Sequence, residues 1–364
     1  MSTAETVSRI EFGERLGSGY FGQVWRATQA PHGAVAVKVI DCERMRSELG
    51  IADPEQLRLH LQGEAESLRK AEHDNVVRVH GVSSAAGGGA VHIVTELCEG
   101  ALSTLCKHGP MQPALALRYI GDALHGLEAL HGRQMIHRDL KPANLLFLNK
   151  RAKLGDFGLV TDHIAYGYAG GSGYIEHLAP EVHSSGKTSM RTDCWAFGLT
   201  AYRILNGEPW YLAEKQRLHL TDLNDLVEAV TNGGFASKLR WLPHVHDPWR
   251  RFVRRAMHDD ASARFQNGGA MLTNFQHAVA HVPEPDWLCM YTPNAVTWTA
   301  NAHGRELVAQ WNRAPKRANT VSAFSLPSGQ AGGRRRGWLD QQGVSEVQAL
   351  NQLKDFFDER RDKM

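Results

Sequence analysis

Little in this 364-residue chain marks it as secreted or membrane-spanning. Five cysteines, at 42, 98, 106, 194 and 289, are odd in number and form no CxxC pair, which argues against a disulfide frame and for reduced thiols. No run of about 18 apolar residues is available to cross a bilayer. Residues 1–9 are polar, so no signal peptide is visible, and the expectation is a soluble, cytoplasmic protein. Charge of either sign is not in excess: 41 Lys and Arg against 39 Asp and Glu give +2, no global pull toward nucleic acid or anionic lipid. The 19 histidines are scattered without HExxH or zinc-ligand spacing, and His244 and His246 read as part of a solvated loop. No internal repeat of 20–50 residues is apparent.

What is present is punctuated by changes of hydrophobic period. Residues 10–40 alternate as strands do, with turn chemistry at Pro31-His32-Gly33. Residues 54–72 switch to helical spacing through Leu57, Leu61, Ala65 and Leu68, and strand-like runs return at 76–82 and 91–97. Beyond residue 100 the pattern is mainly helical, at 112–131, 193–205, 249–257 and 269–281, the second apolar nearly all round and so expected at the core. Pro283-Glu284-Pro285 marks a boundary. After it, 295–300 and 305–311 read as strands joined at His303-Gly304, 320–326 as a third strand, 328–337 as a Gly-rich basic linker, and 344–357 as an amphipathic helix.

Four strings carry chemistry. Gly17, Gly19 and Gly22 allow a backbone turn to lie close over phosphate groups, although GxGxxG alone is weak evidence because dinucleotide-binding folds share it. Val35-Ala36-Val37-Lys38 puts a cation on a strand. His137-Arg138-Asp139-Leu140-Lys141-Pro142-Ala143-Asn144 places a base, cations and a metal-ligand candidate on one short loop, and Asp156-Phe157-Gly158 supplies a second ligand candidate.

In this order the four resemble the eukaryotic-type serine/threonine protein kinase family, over residues 10–282. The resemblance implies an α+β bilobal fold, with a β-rich N-lobe at 10–97, a mainly helical C-lobe at 101–282, and a small β-strand and helix extension at 283–364. It implies ATP and Mg²⁺ as cofactors and a protein substrate. Asp139 would be the base and Lys141 would stabilise the moving phosphoryl group; Asn144 and Asp156 would hold the metal. Lys38 would hold phosphates with Glu64 as its counter-charge, Glu66 being the solvated alternative. Thr95 would be the gatekeeper and Glu96 to Cys98 the hinge, with Val24, Ala36 and Leu146 also assigned to the nucleotide site. Glu181 of Ala179-Pro180-Glu181 would pair with Arg264, and Asp193 would anchor the backbone of the His137 loop. Arg138 would bind a phosphate on the activation segment, with Tyr168 and Ser172 as the first-ranked acceptors.

The match departs from the family pattern at Tyr174 and His177, where a threonine and a tyrosine are usual, which puts the substrate class in question. Lys141-Pro142 is the serine/threonine form; a pseudokinase or scaffold docking through 283–364, or a kinase of tyrosine or dual specificity, are the alternatives.

Overall fold

The computed structural model describes residues 10–19, 22–49, 53, 59, 63, 69, 72–84, 89–156, 175–279, 284–314, 318–327 and 336–360. Glu64, Tyr168, Ser172 and Tyr174 lie outside the described residues.

Strands β1 (Ile10–Gly19), β2 (Gly22–Gln29), β3 (Gly33–Asp41), β4 (Val79–Ser84) and β5 (Ala90–Glu96) form one antiparallel sheet in the order β1-β2-β3-β5-β4. The period-2 pattern turns Val35 and Val37 inward to pack with Ala27 and Val94. At Gly22 a Cβ would stand 2.0 Å from the Val39 carbonyl oxygen, so only glycine lets β2 start this close to β3. Helix α1 (Cys42–Leu49) follows β3.

The larger lobe holds a three-stranded sheet, β6 (Gly100–Ala101), β7 (Leu145–Leu148) and β8 (Arg151–Leu154). Its described helices are α2 (Leu102–Leu105), α3 (Pro113–Gly132), α4 (Pro180–Ser185), α5 (Met190–Asn206), α6 (Glu208–Arg217), α7 (Leu223–Thr231), α8 (Phe235–Lys238), α9 (Asp247–Ala256) and α10 (Gly268–Ala278). Proline at its first turn starts α3, and Ala123, Leu124 and Leu127 are fully buried along it. A capping box between Ser189 and Thr192 starts α5. This helix is buried without interruption from Thr192 to Tyr202 and centres the lobe, as its apolar circumference predicts.

A second five-stranded antiparallel sheet follows in simple sequence order: β9 (Leu288–Tyr291), β10 (Ala295–Ala302), β11 (Arg305–Asn312), β12 (Asn319–Pro327) and β13 (Arg336–Val344). His303 and Gly304 both take positive φ, 47° and 69°, the backbone a two-residue hairpin between β10 and β11 requires. Val296, Trp298, Ala309, Trp311 and Val321 are fully buried on the inner face. Helix α11 (Glu346–Arg360) buries Leu353 and lays Phe356 and Phe357 against the rings of Trp287, Trp298 and Trp338. These residues and the larger lobe share one hydrophobic core. No helix among the described residues is long and apolar enough to cross a membrane.

Three expectations need correction. Arg336 and Gly337 open strand β13 instead of ending a linker; the strand is polar and mostly exposed, with Asp340 and Gln341 paired to Ser322 and Val321, so its hydrophobic alternation is faint. The short strand β9 has no counterpart in the sequence pattern. His244 and His246 are buried, not solvated. Trp298 Nε1–H donates to His244 Nδ1 at 3.0 Å, and burial drives the His244 pKa down to about 3.

Candidate active site

Between the two lobes lies a cavity of about 480 Å³. Leu16, Gly17 and Val24 form its roof, and Ala36, Lys38, Ile93 and Thr95 come from the adjoining strands. Glu96, Leu97, Cys98 and Glu99 connect the lobes, and Ala143, Asn144, Leu146 and Asp156 form the floor. Ten residues assigned from sequence thus converge here: Gly17, Val24, Ala36, Lys38, Thr95, Glu96, Cys98, Asn144, Leu146 and Asp156. Gly19 and Gly22 pair with each other at the β1–β2 end beside it. At Gly17, which lines the cavity, a Cβ would meet nothing within 4 Å. Sequence reasoning missed the apolar wall residues Leu16, Val77, Val79 and Ile93, which belong to no motif and read only as strand positions.

The Glu96 carboxylate is committed to Lys153, at 2.8 Å, and to the Arg78 backbone N–H, at 2.8 Å. Thr95 Oγ1 donates to the Ala36 carbonyl at 3.5 Å. Burial, with Glu96 beside it, pushes the Cys98 thiol up to about 12, so it is a protonated, unreactive wall group at neutral pH.

On the floor, Asn144 Nδ2 donates both to the Asp139 carbonyl, at 2.8 Å, and to its carboxylate Oδ2, at 2.5 Å. Lys141 Nζ stands 3.1 Å from the same Oδ2. Burial raises the Asp139 pKa to about 7, with the charge of Asp156 adding to the rise and Lys141 and Asn144 opposing it. Asp156 behaves oppositely: burial pushes it up, but its contact with Lys38 prevails and holds the carboxyl below its ordinary value. Two nearby carboxylates with divergent protonation is the pattern that separates a base from a permanent anion.

The loop is held from behind. Asp193 on α5 accepts from the backbone N–H groups of His137, at 2.7 Å, and Arg138, at 2.8 Å. Arg138 sits at φ 69°, a left-handed conformation that a non-glycine residue adopts only when its surroundings impose it. His131 completes the anchor: its Nδ1 accepts from Gly268 N–H at 2.8 Å, which leaves Nε2–H to donate to Asp193 at 2.9 Å. His131 escapes a reading of the sequence, because nothing in its helix distinguishes it from a surface histidine.

A sequence profile of the protein kinase domain matches residues 10–281. The chain belongs to the protein kinase family. Among its relatives, serine/threonine-protein kinase ATG1a of Arabidopsis thaliana is 30% identical over 220 residues, covering 57% of this chain and 33% of that protein. Cell division control protein 7 of Schizosaccharomyces pombe is 33% identical over 209 residues, 56% of this chain and 19% of that protein. Calcium and calcium/calmodulin-dependent serine/threonine-protein kinase DMI-3 of Medicago truncatula is 30% identical over 202 residues, 53% of this chain and 36% of that protein. The matched part is thus well under half of each relative's own length.

Two supports of this kinase domain stand outside the cavity. Arg264, with a fully buried side chain, forks onto Glu181 at 2.7 and 2.9 Å and also donates to the carbonyls of His258 and Asp259. His177 is buried: its Nδ1 faces the Ala196 carbonyl at 3.3 Å and Thr200 Oγ1 at 3.5 Å, and its Nε2 faces Arg203 Nη1 at 2.8 Å. Thr200 already donates its proton to Ala196, and an arginine can only donate, so the ring is the neutral Nδ1–H tautomer. Burial, then the Arg203 charge, hold its pKa well below the usual histidine value.

Proposed function

We propose that the chain is an ATP- and Mg²⁺-dependent protein kinase that phosphorylates serine and threonine hydroxyls. The observation that carries the reading is the convergence of Lys38, Asn144 and Asp156 on one cavity whose floor abuts Asp139. In this reading the adenine lies between Val24, Ala36 and Leu146 and meets the backbone of Glu96 and Cys98, while the glycine turn at 17, 19 and 22 covers the phosphates and Lys38 holds them. The Asn144 Nδ2 is spent on Asp139, so its amide oxygen is the atom left for a metal; with the Asp156 carboxylate it would offer the hard-oxygen donors that suit Mg²⁺. When bound, the ion neutralises phosphate charge. Lys38 pairs with Asp156 in this structure and would need another counter-charge if Asp156 held a metal, the role the sequence assigns to Glu64.

Asp139 orients the acceptor hydroxyl and takes its proton as the oxygen bonds to the γ-phosphorus and the bond from that phosphorus to the β–γ bridging oxygen breaks, releasing ADP. Lys141, 3.1 Å from Asp139, lies within reach of the charge that develops on the transferred group. The Lys141-Pro142 pair and the names of the relatives support serine and threonine over tyrosine. The buried Arg264–Glu181 and Asp193 anchors support a rigid floor, which positioning chemistry needs.

Regulation is part of the same reading: a phosphate on Ser172 or Tyr168 would pair with Arg138 and order the segment before Ala179. The test combines binding with mapping. Mg²⁺ and ATP together should raise the melting temperature of the wild type but not of Lys38→Met, and labelled phosphate should appear on serine or threonine of an acceptor. Label confined to tyrosine, or no nucleotide-induced shift, would overturn the reading.

A further inference from the structure

Helix α6 carries two stripes that face different neighbours. Glu208, Tyr211 and Lys215 recur at helical spacing on one side. There Arg203 of α5 forks onto Glu208 at 2.7 to 2.9 Å and lies 4.9 Å over the Tyr211 ring. The same guanidinium reaches His177, and stands 3.7 Å from Glu176, whose carboxylate also pairs with Lys215. One face of α6 therefore grips the short turn Ile175–His177, which runs directly into Ala179-Pro180-Glu181. The Leu140 carbonyl and the Lys141 charge of the catalytic loop both act on the His177 ring, so that turn sits beside the loop.

Trp210, Glu214 and Arg217 form the second stripe. Trp210 packs edge-on against Trp311 and Tyr291 of the C-terminal sheet, both at 6.3 Å, and donates to the Arg240 carbonyl at 3.0 Å. Glu214, 1% exposed, accepts from Arg217 at 2.6 Å and from the Arg240 side chain at 2.9 Å and backbone at 2.8 Å. Arg240 continues to Glu346 in the first turn of α11 at 3.2 Å, and Arg313 holds that carboxylate from the other side at 3.2 Å. A ten-residue helix is marginal alone and takes its placement from whatever grips its sides.

We propose that the C-terminal sheet and helix act through α6 as a positioning device for the polypeptide acceptor, fixing the turn Ile175–His177 against the catalytic loop. This rests on the kinase reading and assigns to residues 283–364 a role in acceptor recognition. Glu346 is the outermost link and lines neither the cavity nor the catalytic loop.

Hydrogen exchange on the full chain tests the proposal without turnover. In Glu346→Gln, and more strongly in Glu346→Lys, which places a third cation beside Arg240 and Arg313, amides of 175–182 should exchange faster than in the wild type. On an active enzyme the acceptor KM should rise about threefold to tenfold, inside the roughly 2- to 30-fold range that coupling through packed side chains produces. The KM for ATP and kcat should not move. Lys215→Met should reproduce the effect from the other end, and the double variant should fall short of additivity. Faster exchange confined to 336–360, or an unchanged acceptor KM beside faster exchange at 175–182, would overturn the proposal. A wild type that transfers no phosphate would overturn the kinase reading alone.

Discussion

Asn144 ties both ends of Asp139, donating from one amide nitrogen to its carbonyl at 2.8 Å and to its carboxylate at 2.5 Å. The bond sets the direction of a buried acid whose other close partner is Lys141. Position and protonation of the proposed base are therefore coupled, and both are open to measurement.

The acid limb of kcat/KM should report Asp139 with an apparent pKa near 7, because the free enzyme must lose that proton before the carboxylate accepts another. Lys141 pulls this value down, so Lys141→Met should move the limb to higher pH as well as lowering kcat. The sign for stability follows from the same shift. An acid whose folded pKa lies above its unfolded value of about 3.9 binds protons more tightly when folded, so its charge opposes folding above pH 7 and this cost disappears as pH falls toward 4. Asp139→Asn should accordingly melt higher than the wild type at pH 8, with the gap narrowing by pH 5 and closing toward pH 4. Calorimetry across that range checks it.

Arg264→Ala should cost about 3 kcal/mol, because it removes a fully buried guanidinium from two backbone carbonyls and from the partly exposed Glu181 carboxylate. For a domain of this size that is roughly a 10 °C loss of melting temperature, at about 2–4 °C per kcal/mol. A loss under 2 °C would show the pair to be replaceable by water.

Gly22→Ala should impair folding of the small lobe before it impairs nucleotide binding, since the added carbon meets the Val39 backbone at 2.0 Å and that strand cannot move aside. Gly17→Ala is the contrasting variant: nothing lies within 4 Å, so stability should hold while the affinity for ATP falls. Melting curves and nucleotide titrations on the two variants separate these outcomes.

Much of this was legible in the sequence, for physical reasons that differ by element. The strands around Lys38 and the helix containing Asp193 announce themselves because one alternates with period 2 and the other is apolar all round. The glycine turn and the His137 loop are readable because their residue types are dictated locally. His177, His244 and His131 were not readable as buried groups, since each is made tolerable by a partner distant in sequence: Arg203, Trp298 and Asp193. Strand β13 escaped because an edge strand with Asp340 and Gln341 on view lacks the apolar alternation that identifies a strand. Leu16, Val77 and Ile93 form cavity wall only once the sheet has folded over the floor.

Transfer of labelled phosphate from ATP to a protein acceptor, comparing the wild type with Asp139→Asn with and without Mg²⁺, bears most directly on the account. Transfer should require Mg²⁺ and should fall about 10²–10⁴-fold in Asp139→Asn, the usual contribution of a positioned general base, while binding of ATP is retained. Equal transfer by the two proteins, or transfer by neither, would contradict it.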